Sequence, residues 1–428
     1  MKASIRHAHQ LLAVEKENTV HAMLELQAPS QGPTEGRPPL HLALVIDRSG
    51  SMAGPKLHYA KQSAAYLARR LGPKDAMALV TYDDHVDLLA SLGTLNGEQL
   101  AASVAAIHPG GTTNLSGGWL KGLEEVRRKD EDATRKVLLL TDGLANVGIT
   151  DSKTLATMVG EAKTSGVGTS TIGFGAGFDE ELLTDMAAAG AGNSHYVSSL
   201  DDAPAIFGEE FDDLVALVAQ NVSVEIRPTS DVEVLGVLNE FPVTAVAGGL
   251  QVNVGDAYAD ESRRVIFELQ IPSMAKLGVA QVAEIVVRYV TVGDEIAVRE
   301  VKVPLTVNMV NSDEAGKEDP DAEVVEEVLI LKSARAQAEA RKMADEGDFE
   351  GAQEILRNTA QELRGAAPHS SKPDELFGDA EFLDRSADIA APSSWDADAS
   401  KSLHYDSFRK HQSRRNQSGR SRRRKRDE

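Results

Sequence analysis

The sequence predicts an α/β protein: a doubly wound, mainly parallel sheet, followed by an antiparallel β-sandwich and a C-terminal helical hairpin. Three observations carry this expectation. Between residues 38 and 219, short apolar runs such as Leu40–Asp47 (LHLALVID) and 136–142 (KVLLLTD) alternate with segments of helical spacing. That is the pattern of parallel strands buried on both faces beneath covering helices. From 220 to 310 the period falls to two, in runs such as RRVIFELQI and QVAEIVVRYV separated by Gly, Pro and Asp, as in an antiparallel sandwich. Residues 324–365 are helical in composition and broken at Glu346-Gly347-Asp348, which predicts two helices joined by a turn.

Taken in order, residues 1–37 contain one strand-like piece at 20–26 and then a Pro- and Gly-rich linker, APSQGPTEGRPP. After the strand at 40–47, helices are expected at 55–71, 97–107, 115–129, 152–165, 179–189 and 203–219. Strands are expected at 76–82, 86–92, 136–142, 167–174 and around 195–198. Residues 311–323, NSDEAGKEDPDAE, read as an acidic linker. The segment 366–428 is rich in Ser, Pro, Asp and Gly and is expected to be disordered, with a basic end that folding does not require.

Composition narrows the chemistry. With 428 residues and 42% hydrophobic content the chain can bury a core in two or three domains. It has no cysteine, which excludes disulfides, thiol catalysis and sulfur-ligated zinc or iron. Aromatics are 4%, too few for base-stacking platforms. The first twenty residues lack the apolar run of a secretory signal, and no segment approaches the ~18 to 20 apolar residues of a membrane span. The expected address is therefore cytoplasmic. The net charge is −21; setting aside residues 409–428, with ten Lys/Arg and two Asp/Glu, leaves −29 for the rest. So acidic a body repels nucleic acid and attracts cations, whereas the basic end could touch a polyanion or a membrane surface.

The informative residues stand where the first buried strand ends, in Asp47-Arg48-Ser49-Gly50-Ser51. Ligands of open parallel sheets bind outside the carboxyl ends of the strands. Asp47, Ser49 and Ser51 can turn oxygens toward one point. Gly110-Gly111-Thr112-Thr113-Asn114-Leu115 offers a further hydroxyl before a helix, and Leu140-Thr141-Asp142-Gly143 a second carboxylate after another buried strand. Two carboxylates and three hydroxyls suit a hard divalent cation, Mg²⁺ or Mn²⁺, over zinc or copper. Hydroxyl donors also leave the ion's charge weakly neutralised, ready for an outside carboxylate. Walker A, Gly-x-Ser-x-Gly and HExxH sequences are absent, and the histidines are scattered.

The three motifs DRSGS, GGTTNL and LTDG, in this order within a βα alternation, resemble the von Willebrand factor A domain, whose fold is Rossmann-like. The resemblance implies a metal-ion-dependent adhesion site formed by Asp47, Ser49, Ser51, Thr113 and Asp142. Thr113 is chosen over Thr112 because it directly precedes the Asn114-Leu115 pair. The remainder is similar to bacterial members in which a sandwich is assembled from strands on both sides of the A domain, so residues 20–26 are expected to join strands from 220–310. The implied function is non-enzymatic: cation-dependent binding of a protein that supplies an Asp or Glu carboxylate, with no small-molecule substrate. The alternatives are a metal-dependent hydrolase acting on phosphate, or a scaffold binding through its hairpin and basic tail.

Overall fold

A computed structural model describes the chain apart from residues 31–37, 94–102, 129–132, 176, 198–205, 209, 211–215, 230, 275, 293–296, 412–413 and 417–428. It divides into two compact units, one of Pro33–Leu217 with Val292–Asp294, the other of Met1–Gly32, Val218–Thr291 and Glu295–Glu428.

In the first unit, β4 (Leu40–Asp47), β5 (Ala76–Tyr82), β7 (Thr134–Thr141), β8 (Val167–Phe174) and β9 (Ser194–Val197) run parallel, while β6 (Val86–Gly93) returns antiparallel at one edge. The order is β6-β5-β4-β7-β8-β9. Every residue of β4, β5 and β8 is buried, which explains their unbroken apolar sequences. From β4 the chain proceeds to β5 on one side and later to β7 on the other. The carboxyl ends of β4 and β7 thus flank a switch in strand order, where such sheets open a crevice.

Helix α1 (Pro55–Arg70) starts on a proline, which suits the first helical position, and buries Leu57, Ala60, Ala64 and Leu67 on one stripe. Helix α2 (Leu115–Val126) is capped by Asn114, whose Oδ1 accepts from Gly117 N at 2.9 Å. A Cβ at Gly122 would stand 2.6 Å from Val45, so this face lets α2 sit close on β4. Buried Trp119 donates its indole N–H to Thr169 Oγ1 at 3.1 Å and anchors α2 across the sheet. Helices α3 (Ser152–Thr164) and α4 (Glu180–Ala189) add to the cover. Most of the expected helices at 97–107 and 203–219 lies outside the described residues; the last positions of the second, from Leu217, are already strand.

The second unit holds two sheets sharing one apolar core. Strand β3 (Asn18–Gln27) pairs along β14 (Glu261–Ile271), with Val20 opposite Leu269 and Leu24 opposite Val265. The N-terminus supplies more strands than its sequence suggested. β1 (Lys2–His7) extends this sheet beyond β3, and β2 (Leu11–Ala13) lies parallel to β16 (Val298–Val310) in the other. The second sheet runs β12 (Val243–Val246), β13 (Gly249–Tyr258), β10 (Leu217–Pro228), β15 (Gly278–Thr291), β16, β2. The first is closed by β11 (Glu233–Val237) against β14, beside the short β17 (Arg414–Asn416).

Helices α5 (Ala322–Asp345) and α6 (Phe349–Ala366) form the expected hairpin. Gly347 takes φ +89° at the turn, and Asp348 caps α6 through Gly351 N at 3.0 Å. The disorder expected over 366–428 is corrected for the described residues, where α7 (Pro373–Ile389) and α8 (Ala397–His411) are helices; 412–413 and 417–428 lie outside them. Helix α7 buries Leu376, Ala380, Leu383 and Ala387 in the core that contains Leu356, Ala360 and Leu363 of α6. Alanine makes such a stripe inconspicuous in composition although its helical period is intact. The basic end begins inside this fold. Lys410 pairs with Asp406 at 2.8 Å and Asp379 at 3.3 Å, His411 is buried, and its carbonyl accepts from Asn239 Nδ2.

Candidate metal centre

The loop after β4 is bound to its neighbours by backbone. Gly50 N donates to Gly111 O at 3.0 Å and Gly110 N to Arg48 O at 2.7 Å, which ties DRSGS to GGTTN. Arg48 turns away from the crevice to Asp83 (3.1 Å) and Asp87 (2.7 Å), and Gly110 must be glycine there because a Cβ would stand 1.8 Å from Asp83 Oδ2. Asn146 holds the third loop to the second. Its Oδ1 accepts from Thr113 N at 2.8 Å, and its own N–H donates to Thr113 O at 3.2 Å.

These contacts bring Asp47, Ser49, Ser51, Thr113 and Asp142 together. Asp47 Oδ1 accepts from Ser49 N at 2.7 Å, and its Oδ2 accepts from Thr141 Oγ1 at 2.6 Å. Ser49 and Ser51 hydroxyls lie 3.1 Å apart, and Ser51 Oγ donates to Asp142 Oδ1 at 2.8 Å. Gly143 marks the point of convergence: a Cβ there would be 3.1 Å from Thr113 Oγ1, 3.6 Å from Ser51 Oγ and 3.8 Å from Asp47 Oδ2. Asp47, Ser49, Thr113 and Asp142 are buried, whereas Ser51 is exposed and gives the cluster its open side.

Burial pushes the Asp47 carboxyl up to about 6; the bonds from Thr141 and Ser49 oppose this and the Asp142 charge adds to it. A buried carboxylate left in that condition is costly, and a bound cation would relieve it. The donor set therefore fits the group the sequence implies: oxygen only, two carboxylates, three hydroxyls, one open side.

Three participants escaped sequence reasoning. Thr141 bonds Asp47 from the residue before Asp142, and Asn146 braces Thr113 from further along the Asp142 loop, beyond the motif. Lys56, in the first turn of α1, places Nζ 2.5 Å from Asp142 Oδ2. A separate group, Asp83, Asp84 and His85, brings three potential ligand atoms within 4.8 Å, but Asp83 is engaged by Arg48, Gly111 N and His85 N.

Residues 41–209 match the family model of the von Willebrand factor type A domain. Along the chain, protein sll0103 of Synechocystis is 25% identical over 341 residues, covering 76% of this chain and 79% of that protein. YfbK of Escherichia coli is 30% identical over 198 residues, covering 45% of this chain but 34% of YfbK. Among solved structures, a von Willebrand factor type A protein from Catenulispora acidiphila superposes with TM-score 0.71 over 95% of this chain and 96% of its own, at 14% identity, a likeness of fold. Among the described residues no helix is long and apolar enough to cross a membrane.

Proposed function

Because the chain carries a von Willebrand factor type A domain, we propose that it binds a protein partner through a divalent cation held by Asp47, Ser49, Ser51, Thr113 and Asp142. The observation that supports this reading is the convergence of Thr113 Oγ1, Ser51 Oγ and Asp47 Oδ2 about Gly143, with Asp142 bonded to Ser51 at its rim. In this reading the residues form a metal-ion-dependent adhesion site. When bound, Mg²⁺ or Mn²⁺ supplies a Lewis-acidic position for a hard anionic oxygen, and an Asp or Glu side chain of the partner is the matching ligand.

The chain's own part is to hold the donors in place. Thr141 and Ser49 N aim the Asp47 carboxylate, Asn146 fixes the Thr113 backbone, and Asp83, bonded by Arg48 and by Gly111 N, links the two loops. Both acidic groups are committed, Asp47 to Ser49 N and Thr141, Asp142 to Ser51 and Lys56. The test is affinity capture with full-length protein in Mg²⁺ and in chelator, beside Asp47→Ala. A partner retained in Mg²⁺ and lost in both other conditions supports the reading; one retained in all three overturns it.

A further inference from the structure

Lysine is an unexpected residue at the second position of a helix, where the backbone N–H groups already present positive potential and acidic residues are favoured. Lys56 sits there on α1, and its ammonium reaches Asp142 Oδ2 at 2.5 Å. The Asp142 side chain has no solvent exposure, while that of Lys56 keeps 31%. The Lys56 stem passes Gly175, at the end of β8, where φ is +65° and a Cβ would lie 3.4 Å from Cε and 3.6 Å from Nζ. Lys56 thus spans from α1 over the ends of β7 and β8. The second Asp142 oxygen is taken by Ser51.

We infer that Lys56 is the charge-setting residue of the site: it weakens the hold on the metal and strengthens the hold of the loaded site on an anionic ligand. This rests on the metal reading above. The argument is a count of charge at short range. The two carboxylates, Asp47 and Asp142, match the charge of a divalent ion whatever the hydroxyls contribute, so the weak neutralisation expected from the sequence requires a further positive group. With Lys56 in contact, the protein offers one net negative charge, so the loaded site keeps one net positive charge. Charges this close, in surroundings drier than bulk water, interact far more strongly than surface pairs. The same lysine therefore repels the incoming cation and attracts the partner's carboxylate. Mutation should move the two affinities in opposite directions, which a merely structural lysine would not do.

The experiment titrates full-length wild type, Lys56→Met, Lys56→Gln and Lys56→Arg with Mn²⁺ alone at low salt, reading free Mn²⁺ by electron paramagnetic resonance and folding by circular dichroism. Acetate is then added to each loaded protein, and its binding is followed by the relaxation of water protons on the bound Mn²⁺. The two neutral variants should bind Mn²⁺ about 10-fold more tightly than wild type and acetate several-fold more weakly, with Lys56→Arg within about 3-fold of wild type in both. Two folded neutral variants with unchanged or weaker Mn²⁺ affinity, beside a wild type that binds, overturn the inference and leave the metal site standing. A wild type that binds no Mn²⁺ overturns both.

Discussion

Asp47→Asn separates the site's function from its stability, because the two effects have opposite signs. In the metal-free protein the buried Asp47 carboxyl titrates at about 6, against 3.8 when unburied. At about 1.4 kcal/mol per unit, the ionised form costs the folded state roughly 3 kcal/mol as an upper figure. The sign follows from the raised value. The penalty is absent below pH 3.8, grows through the interval to 6, and is complete above it. Asparagine removes the charge. Its oxygen can keep the bond from Ser49 N, and its amide then faces Thr141 Oγ1, whose hydroxyl can rotate to accept and turn its own proton toward Gly143 O, 3.5 Å away. Allowing about 1 kcal/mol for that poorer bond leaves a gain of roughly 1 to 2 kcal/mol, or about 2 to 8 °C in melting temperature for a unit of this size. Scanning calorimetry in chelator at pH 7.5 should show the variant melting above wild type, with the gap narrowing below pH 6. In excess Mg²⁺ the order should reverse, since only wild type gains stability from the ion. A variant that melts below wild type in chelator would refute the reasoning.

Three further outcomes are expected. Gly143→Ala sets a methyl against Thr113, Ser51 and Asp47, so Mn²⁺ affinity measured by calorimetric titration should fall about 10-fold or more while the fold survives; unchanged affinity would place the ion elsewhere. Burial would raise Glu210, but bonds from His195, Ser170 and Asn193 outweigh it and hold the carboxyl at about 2, so its stabilisation is full above pH 4.5 and lost toward pH 2. Glu210→Gln should therefore cost about 3 kcal/mol at pH 7 and nothing near pH 2 in urea titrations, and a cost independent of pH would contradict this. Deleting residues 409–428 removes buried His411 and the partners of Asn239 and Asp406; a loss of about 2 to 4 kcal/mol is expected, where an unchanged melting temperature would mean that the end of α8 is not docked.

The parallel strands were legible because burial on both faces demands unbroken apolar sequence, and LHLALVID and KVLLLTD supply it. That Asp47, Ser49, Ser51 and Asp142 approach one another was legible because they stand at or just beyond the ends of β4 and β7, whereas Thr113, in the loop before α2, was singled out by the family resemblance. Lys56 was not: its contact with Asp142 spans 86 residues and depends on how α1 leans over β7. Thr141 lay inside a motif but was read as strand rather than donor. Strand β1 escaped notice because its alternation falls between half-buried and exposed positions, without a fully buried face. Helices α7 and α8 were missed for a different reason. The buried face of α7 is alanine with leucine at intervals, and that of α8 is Ser400, Lys401, Leu403, Ser407 and His411, so their composition resembles a solvated chain.

The central claim, that these oxygens hold one divalent cation, is tested most directly by isothermal titration of the full chain with Mn²⁺ and then with chelator, for wild type, Asp47→Asn and Thr113→Val. The expected result is one chelator-reversible ion per wild-type chain, with affinity lost in Asp47→Asn and weakened in Thr113→Val. Absence of reversible binding by wild type, or equal binding by all three, would contradict it.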